Sequence, residues 1–322
     1  MNVVARLLCI APAVALAACS SADREGETDS RFSTSFDGEV LRLEFEREDG
    51  GRERFSTQRD HWYGRTWVPF LPNHSGRRWA LAKTGVEGTS VAYALVSWDN
   101  DDPTDYLAAG YWLHFDGYRL RNGIPLAAGD IELFIDGTEI DPAYPPELPT
   151  LGTASYVGQA GGIYTYRYGS DWDGNDRPDA GEEFYGPMTV QANFDDMTVT
   201  GCIGCVGDLW IERMHLYSVL GWRAREPLAM PTDYDIHFAP TALGPKGTFE
   251  GQDVTVTHPT RTVTESGGEW RGSFSNRLAP DGNPRFVGGI ASAGFTEADG
   301  SQGTFDSIFI TVHPSLLPDQ QP

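Results

Sequence analysis

The sequence predicts an all-β protein, on three observations. Aromatic side chains are abundant (16 Phe, 13 Tyr and 9 Trp) beside 37 Gly and 21 Pro, a mixture suited to pleated strands joined by tight turns. Short apolar runs recur at even spacing through the second half, with Gly-rich turns between them. No helix-period stretch persists beyond about two turns, which argues against a parallel α/β sheet.

The segments follow in order. Residues Met1–Ala18 carry Arg6, an apolar run from Leu7 to Leu16 and small residues before Cys19. This is the layout of a signal peptide. The run is too short for a membrane-spanning helix, which needs about 20 apolar residues. Leu16-Ala17-Ala18-Cys19 reads as a bacterial lipobox, so Cys19 is the expected lipidation site and the first mature residue. Ser20 is not the aspartate that marks inner-membrane retention, so the outer membrane is the expected address. Residues 19–33 are polar and without periodicity, and are expected to be a flexible tether.

Residues 34–149 are expected to form a small β-rich domain ending in a linker. Strand candidates are Val40–Arg47, Ser90–Trp98, Ala109–Phe115 and Ile131–Ile135; in the first, Leu41, Leu43 and Phe45 alternate with Arg42, Glu44 and Glu46, the period of a strand with one buried face. Trp98–Asp105 reads as a solvated turn, with a cation site as the alternative. Four prolines within Asp141–Pro149 favour an extended connector. Beyond it, Thr153–Val157, Gly162–Tyr168, Phe184–Phe194, Met197–Gly201, Leu209–Leu220, Tyr234–Ala239, Gly247–His258, Glu269–Phe274, Phe286–Phe295 and Gly303–Val312 are strand candidates. Such a series suits a sandwich or an antiparallel barrel.

Charge and motifs narrow the function. The formal charge is -22, which opposes binding to nucleic acid or to an anionic membrane surface. With Cys9 removed and Cys19 acylated, Cys202 and Cys205 remain as C-I-G-C. An oxidising compartment favours a disulfide between them; free or metal-bound thiols and redox catalysis are the alternatives, although neither a helix N-terminus nor further ligands at zinc spacing are visible. Asp171, Asp173, Asn175, Asp179 and Glu182 fall at the oxygen-ligand positions of a calcium loop. Against that reading, Asp176 stands where the turn needs glycine, Pro178 replaces an apolar residue, and the upstream segment reads as strand, so a plain acidic hairpin loop is the competing assignment. No nucleophile elbow, H-E-x-x-H or phosphate-binding loop occurs, and the seven histidines are dispersed. No catalytic residue is assigned, and no cofactor beyond the candidate calcium. Aromatics in His61–Trp67 read as an interface anchor or as core, and Trp222–Pro227 as a loop contact or a plain connection.

The second half resembles the β-barrel domain of the transferrin-binding protein B family of surface lipoproteins. The resemblance is carried by Gly152-x-Ala154-x-Tyr156-x-Gly158 with Gly161-Gly162, by Ala192-Asn193-Phe194 and Val199-Thr200-Gly201-Cys202-Ile203, and by Trp270–Asn276, Gly288-Gly289 and Gly303-Thr304-Phe305. It implies an eight-stranded antiparallel barrel at 150–314, preceded by a handle-like domain and followed by a tail at 315–322. It further implies a non-enzymatic outer-membrane lipoprotein, periplasmic or surface-facing, that presents Ser170–Glu183, Gly221–Pro231 and Leu278–Pro284 to an extracellular protein or a small molecule. Transferrin itself is not implied: the chain has one lobe's length, and Phe274-Ser275-Asn276 departs from the family's run. A structural envelope lipoprotein without a diffusible ligand is the second reading.

Overall fold

Strand alternation within Leu41–Glu46 sets the pattern for the first half of the molecule. The computed structural model describes residues 32–46, 50–67, 74–85, 88–115, 120–121, 124–125, 131–141, 143–169, 180–212 and 230–317. Cys19, the signal segment, and Asp171, Asp173, Asn175 and Asp179 lie outside these residues, as do nearly all of Gly221–Pro231 and the end of the tail. Residues 31–322 form one compact unit. It is all-β, and its largest part is a nearly closed antiparallel barrel-like sheet.

A meander of β1 (Phe32–Phe36), β2 (Leu41–Glu46) and β3 (Arg52–Ser56) opens the fold. The strand begins at Phe32, inside the segment expected to be tether, because Phe32 stacks on Phe134 at 4.1 Å and packs against Phe45. In β2, Leu41, Leu43 and Phe45 are buried and Arg42 is exposed, as the alternation requires. Next comes a five-stranded sheet of β4 (His61–Trp67), β5 (His74–Gly85), β6 (Gly88–Asp99), β7 (Tyr106–Phe115) and, after the short hairpin β8 (Leu120–Arg121) and β9 (Ile124–Pro125), β10 (Ile131–Asp136). Its order is β10-β7-β6-β5-β4, so His61–Trp67 is an edge strand; its side chains lie outside the described residues.

The middle of β6, Val91-Ala92-Tyr93-Ala94-Leu95-Val96, is an unbroken apolar run because both faces are covered. One face packs Trp79, Ala92, Ala94 and Trp112 against Leu43, Phe45 and Phe55 of the small sheet, with Phe45 and Trp112 stacked at 5.2 Å. Each aromatic fully withdrawn from water there contributes roughly 1.5–3 kcal/mol. The other face meets the second half of the chain, where Leu107 and Ala109 pack with Ile308, Ile310 and Val312.

The barrel strands are β11 (Thr153–Arg167), β12 (Ala180–Asn193), β13 (Thr198–Ile203), the short β14 (Trp210–Glu212), β15 (Asp235–Ala242), β16 (Thr248–Gly251), β17 (Val254–Thr257), β18 (Val263–Phe274), β19 (Phe286–Glu297) and β20 (Gln302–Val312). They order as β16-β18-β19-β20-β11-β12-β13-β15-β17, with β14 on the side of β12. β16 and β17 are two pieces of one segment, one bonded to β18 and the other to β15. Taken as one bent strand, they make a circuit of eight. Two expected strands, Thr153–Val157 and Gly162–Tyr168, are one continuous β11: the glycines between them keep extended backbone and ladder on both sides. Inward-facing Tyr156, Tyr164, Tyr166, Phe184, Phe238, Trp270, Phe295 and Phe305 fill the interior, with Tyr164 stacked on Phe305 at 4.2 Å and Phe238 on Trp270 at 4.8 Å.

Glu297, 3% exposed, anchors a polar network in this interior. It accepts hydrogen bonds from Tyr234 Oη at 2.7 Å, Tyr166 Oη at 2.8 Å and Arg261 Nε at 2.5 Å. Burial alone would raise its pKa; the guanidinium and the two phenols outweigh that and hold it below the usual carboxylate range.

The proline-rich Asp141–Pro149 contains no strand and marks the passage from the five-stranded sheet to the barrel. Its approach is tied down. Glu139 is buried and accepts from Ser275 Oγ at 3.2 Å, its carbonyl accepts from Asn276 N at 2.9 Å, and Asn276 Nδ2 donates to Thr138 O at 2.9 Å. The Ser275-Asn276 tract is therefore what receives the end of the first half.

A cavity between the five-stranded sheet and the barrel wall

Among the described residues, the expected site residues and segments fall in four places. Cys202 and Cys205 are joined by a disulfide, with Cα atoms 5.9 Å apart. Glu182 is a strand residue, buried in β12 opposite Tyr164 of β11. The segment Ala180–Glu183, read as the end of a presented loop, is thus ladder, because both flanking strands extend to meet it. Leu278–Pro284 is a closed turn, with Leu278 bridged to Pro284 and Ala279 N donating to Asn283 O at 2.7 Å. In Asp99–Asp105 the aspartates cap their own turns: Asp99 accepts from Asp101 N at 2.8 Å and Asp102 from Thr104 N at 3.1 Å. Asp105 is buried and pairs with Arg277 at 2.6 Å.

A cavity of about 200 Å³ lies where the five-stranded sheet meets the barrel. Strand periodicity explains its lining. Phe184 points into the barrel, so Glu183 and Tyr185 point out of it toward the other sheet. On the facing sheet, Ala92 and Ala94 serve the core toward β1–β3, which turns Tyr93 and Leu95 to the barrel side. Arg78 and Tyr111 join from the neighbouring strands, and Trp210 of β14 stands at the edge, 42% exposed. Gly161 and Gly162 of β11 line the opposite wall.

The polar groups converge on Glu183, which is 1% exposed. Tyr111 Oη donates to its Oε1, and Tyr185 Oη to its Oε2 at 3.2 Å. Tyr93 and Tyr111 stack with centroids 5.1 Å apart, and Tyr185 and Trp210 at 6.1 Å. Burial, reinforced by the Glu183 carboxylate, pushes the Tyr93 phenol to about 12 and the Tyr111 and Tyr185 phenols well above their ordinary value. All three phenols therefore stay protonated and act as donors across physiological pH. The Arg78 guanidinium opposes the shift at Tyr93 and Tyr185, which places a positive charge on the same cluster.

Such a lining, stacked rings around a carboxylate with a guanidinium beside it, can hold a small molecule by its faces and orient it by two opposite charges. Sequence reading did not single out these residues. The one available signal was Glu182-Glu183 in a strand, since buried acids need partners; of the partners of Glu183, Tyr185 is two residues away but Tyr111 comes from a strand 72 residues away. No protein-family model matches the chain, and the curated proteins include no detectable relative.

Proposed function

We propose that the protein is a lipid-anchored outer-membrane lipoprotein of the transferrin-binding protein B-like kind, whose task is to bind and not to catalyse. The lipobox at Cys19 supports the anchor, and a nearly closed antiparallel barrel behind a smaller β-rich part is compatible with the family. The observation that carries the binding role is the cavity holding Arg78, Tyr93, Tyr111, Glu183 and Tyr185. Its volume of about 200 Å³ is below the roughly 300–1,000 Å³ of drug-sized sites, so the occupant is of single-ring or amino-acid size. Glu183 takes a donor or ammonium group, Arg78 takes an acceptor or carboxylate, and the tyrosines take the body of the solute. A small zwitterion or aromatic amine meets all three demands.

Thermal melting in the presence of millimolar free amino acids and aromatic amines tests this reading. A saturating ligand raises stability by about 2.7 kcal/mol at a hundredfold excess over Kd. At least one compound should raise the melting temperature of the wild type, and Leu95→Trp, which fills the cavity, should abolish that rise while keeping a native circular dichroism spectrum. Glu183→Gln should weaken it. If no compound shifts the wild type, or if the same shift survives in Leu95→Trp, the cavity is not the binding site.

A further inference from the structure

The register of two barrel strands brings a third metal-ligand side chain to the C-I-G-C pair. Cys202 on β13 and His237 on β15 are directly opposed across the antiparallel ladder, so their side chains leave the same face. After Ile203 the chain reverses: Gly204 has φ +94, a conformation suited to glycine, and Gly207 N donates to Gly204 O at 3.0 Å. That turn carries Cys205 back over the strand end, where its Sγ lies 3.5 Å from His237 Nδ1. The ligand atoms of Cys202, Cys205 and His237 all lie within 4.8 Å of one another. Ligands at ordinary zinc–sulfur and zinc–nitrogen lengths around one tetrahedral ion stand about 3.6 Å apart for sulfur and nitrogen, close to the spacing already present between Cys205 and His237.

The imidazole is also held in the right sense. Its Nε2 is 3.3 Å from Thr257 Oγ1. A proton on Nε2, donated to that hydroxyl oxygen, leaves the Nδ1 lone pair directed at the sulfurs, as a metal-bound histidine requires. Cys202 is 8% exposed whereas Cys205 is exposed, so a reductant approaches from the Cys205 side.

We propose that Cys202, Cys205 and His237 form a redox-gated site for a thiophilic cation of the zinc class. In the disulfide form the sulfurs bind each other and the site is shut. An external dithiol opens it: the S–S bond takes two electrons and two protons, and the dithiol is oxidised to its own disulfide. The two thiols release those protons as the cation binds, giving two thiolates and one imidazole with a fourth position left to water. Three protein ligands and one open position make an exchangeable site, unlike the closed four-ligand structural kind. The inference is independent of the cavity described above.

Zinc binding to the full chain, before and after reduction with a water-soluble phosphine, tests it against a Cys202→Ser/Cys205→Ser double variant that retains Cys9 and Cys19. Competition with a chromophoric chelator should show one additional equivalent of zinc bound by the reduced wild type, none by the oxidised wild type, and no redox-dependent difference in the double variant. His237→Ala should weaken binding at least tenfold, and Thr257→Val should weaken it less; calcium should not compete. Cobalt substitution should give thiolate charge-transfer absorption only in the reduced wild type. A disulfide that resists the phosphine in the folded chain, equal zinc uptake by the reduced wild type and the double variant, or unchanged affinity in His237→Ala would each overturn the proposal and leave the bond a structural staple.

Discussion

Asp306 shows how one residue can set a pH dependence. It lies on β20 next to Phe305, which points into the barrel, so its carboxyl shares the outer face with Ile308. Burial pushes its pKa from 3.8 to about 6, and among the described residues no hydrogen bond or ion pair offsets that cost. The folded chain then keeps a proton that the unfolded chain releases, so stability falls as pH rises from about 4 to about 6 and is level above that. Asp306→Asn should be more stable than the wild type by about 1–2 kcal/mol at pH 8, a figure discounted for the partial exposure of the side chain, and equal to it near pH 3.5. Urea unfolding at the two pH values checks this; a difference that does not change with pH would show that the carboxyl is not the cause. Neither this residue nor the Glu183 cluster was legible from sequence, because the environment of each is made by strands distant along the chain. Cys202–Cys205 was legible as a pair, for the opposite reason: a three-residue separation fixes the geometry locally, whereas His237 enters only through register.

Elements were legible where alternation or glycine punctuation dominates, as in β2, β19 and β20, and β6 was legible as the run Ser90–Trp98, whereas β5, whose Trp79–Ala82 is buried on both faces, shows no such period. The Gly161-Gly162 pair shows a second kind of signal. It reads as a break between two strands in composition, yet structurally β11 there runs close against a neighbour: a Cβ on Gly162 would lie 1.9 Å from the backbone oxygen of Asp306 on β20. The ladder cannot yield without displacing a whole strand. Gly162→Ala should therefore destabilise the protein by about 1–3 kcal/mol. Gly267→Ala, in β18, meets nothing within 4 Å and should be neutral or stabilise by about 0.4–1 kcal/mol through the unfolded chain. Paired thermal melts decide: equal losses in both variants would mean that glycine's flexibility, and not the close approach of β11 to β20, is what matters at Gly162.

At the scale of the whole molecule, the passage from handle-like part to barrel reads in sequence as a stiff proline connector, which by itself leaves two bodies free to unfold apart. The packing argues otherwise. Leu107 and Ala109 of β7 share one buried cluster with Ile308, Ile310 and Val312 of β20, Ile163 of β11 joins Val91, Tyr93 and Leu113, and Arg277 pairs with the buried Asp105 across the junction. The five-stranded sheet thus buries one of its faces on the barrel, and losing the barrel would expose that face to water at roughly 25 cal/mol for each Å². Each part has an interior cluster of its own, but the face they share is buried only while both are folded, so they should unfold together. Hydrogen exchange across a urea series should show peptides from Tyr106–Leu113 and from Phe286–Phe295 losing protection at the same denaturant concentration. Ile310→Asp, which buries a charge in the shared cluster, should separate them, with the Tyr106–Leu113 peptide opening first. Separate midpoints already in the wild type would mean that the connector, and not the shared cluster, governs how the two parts behave.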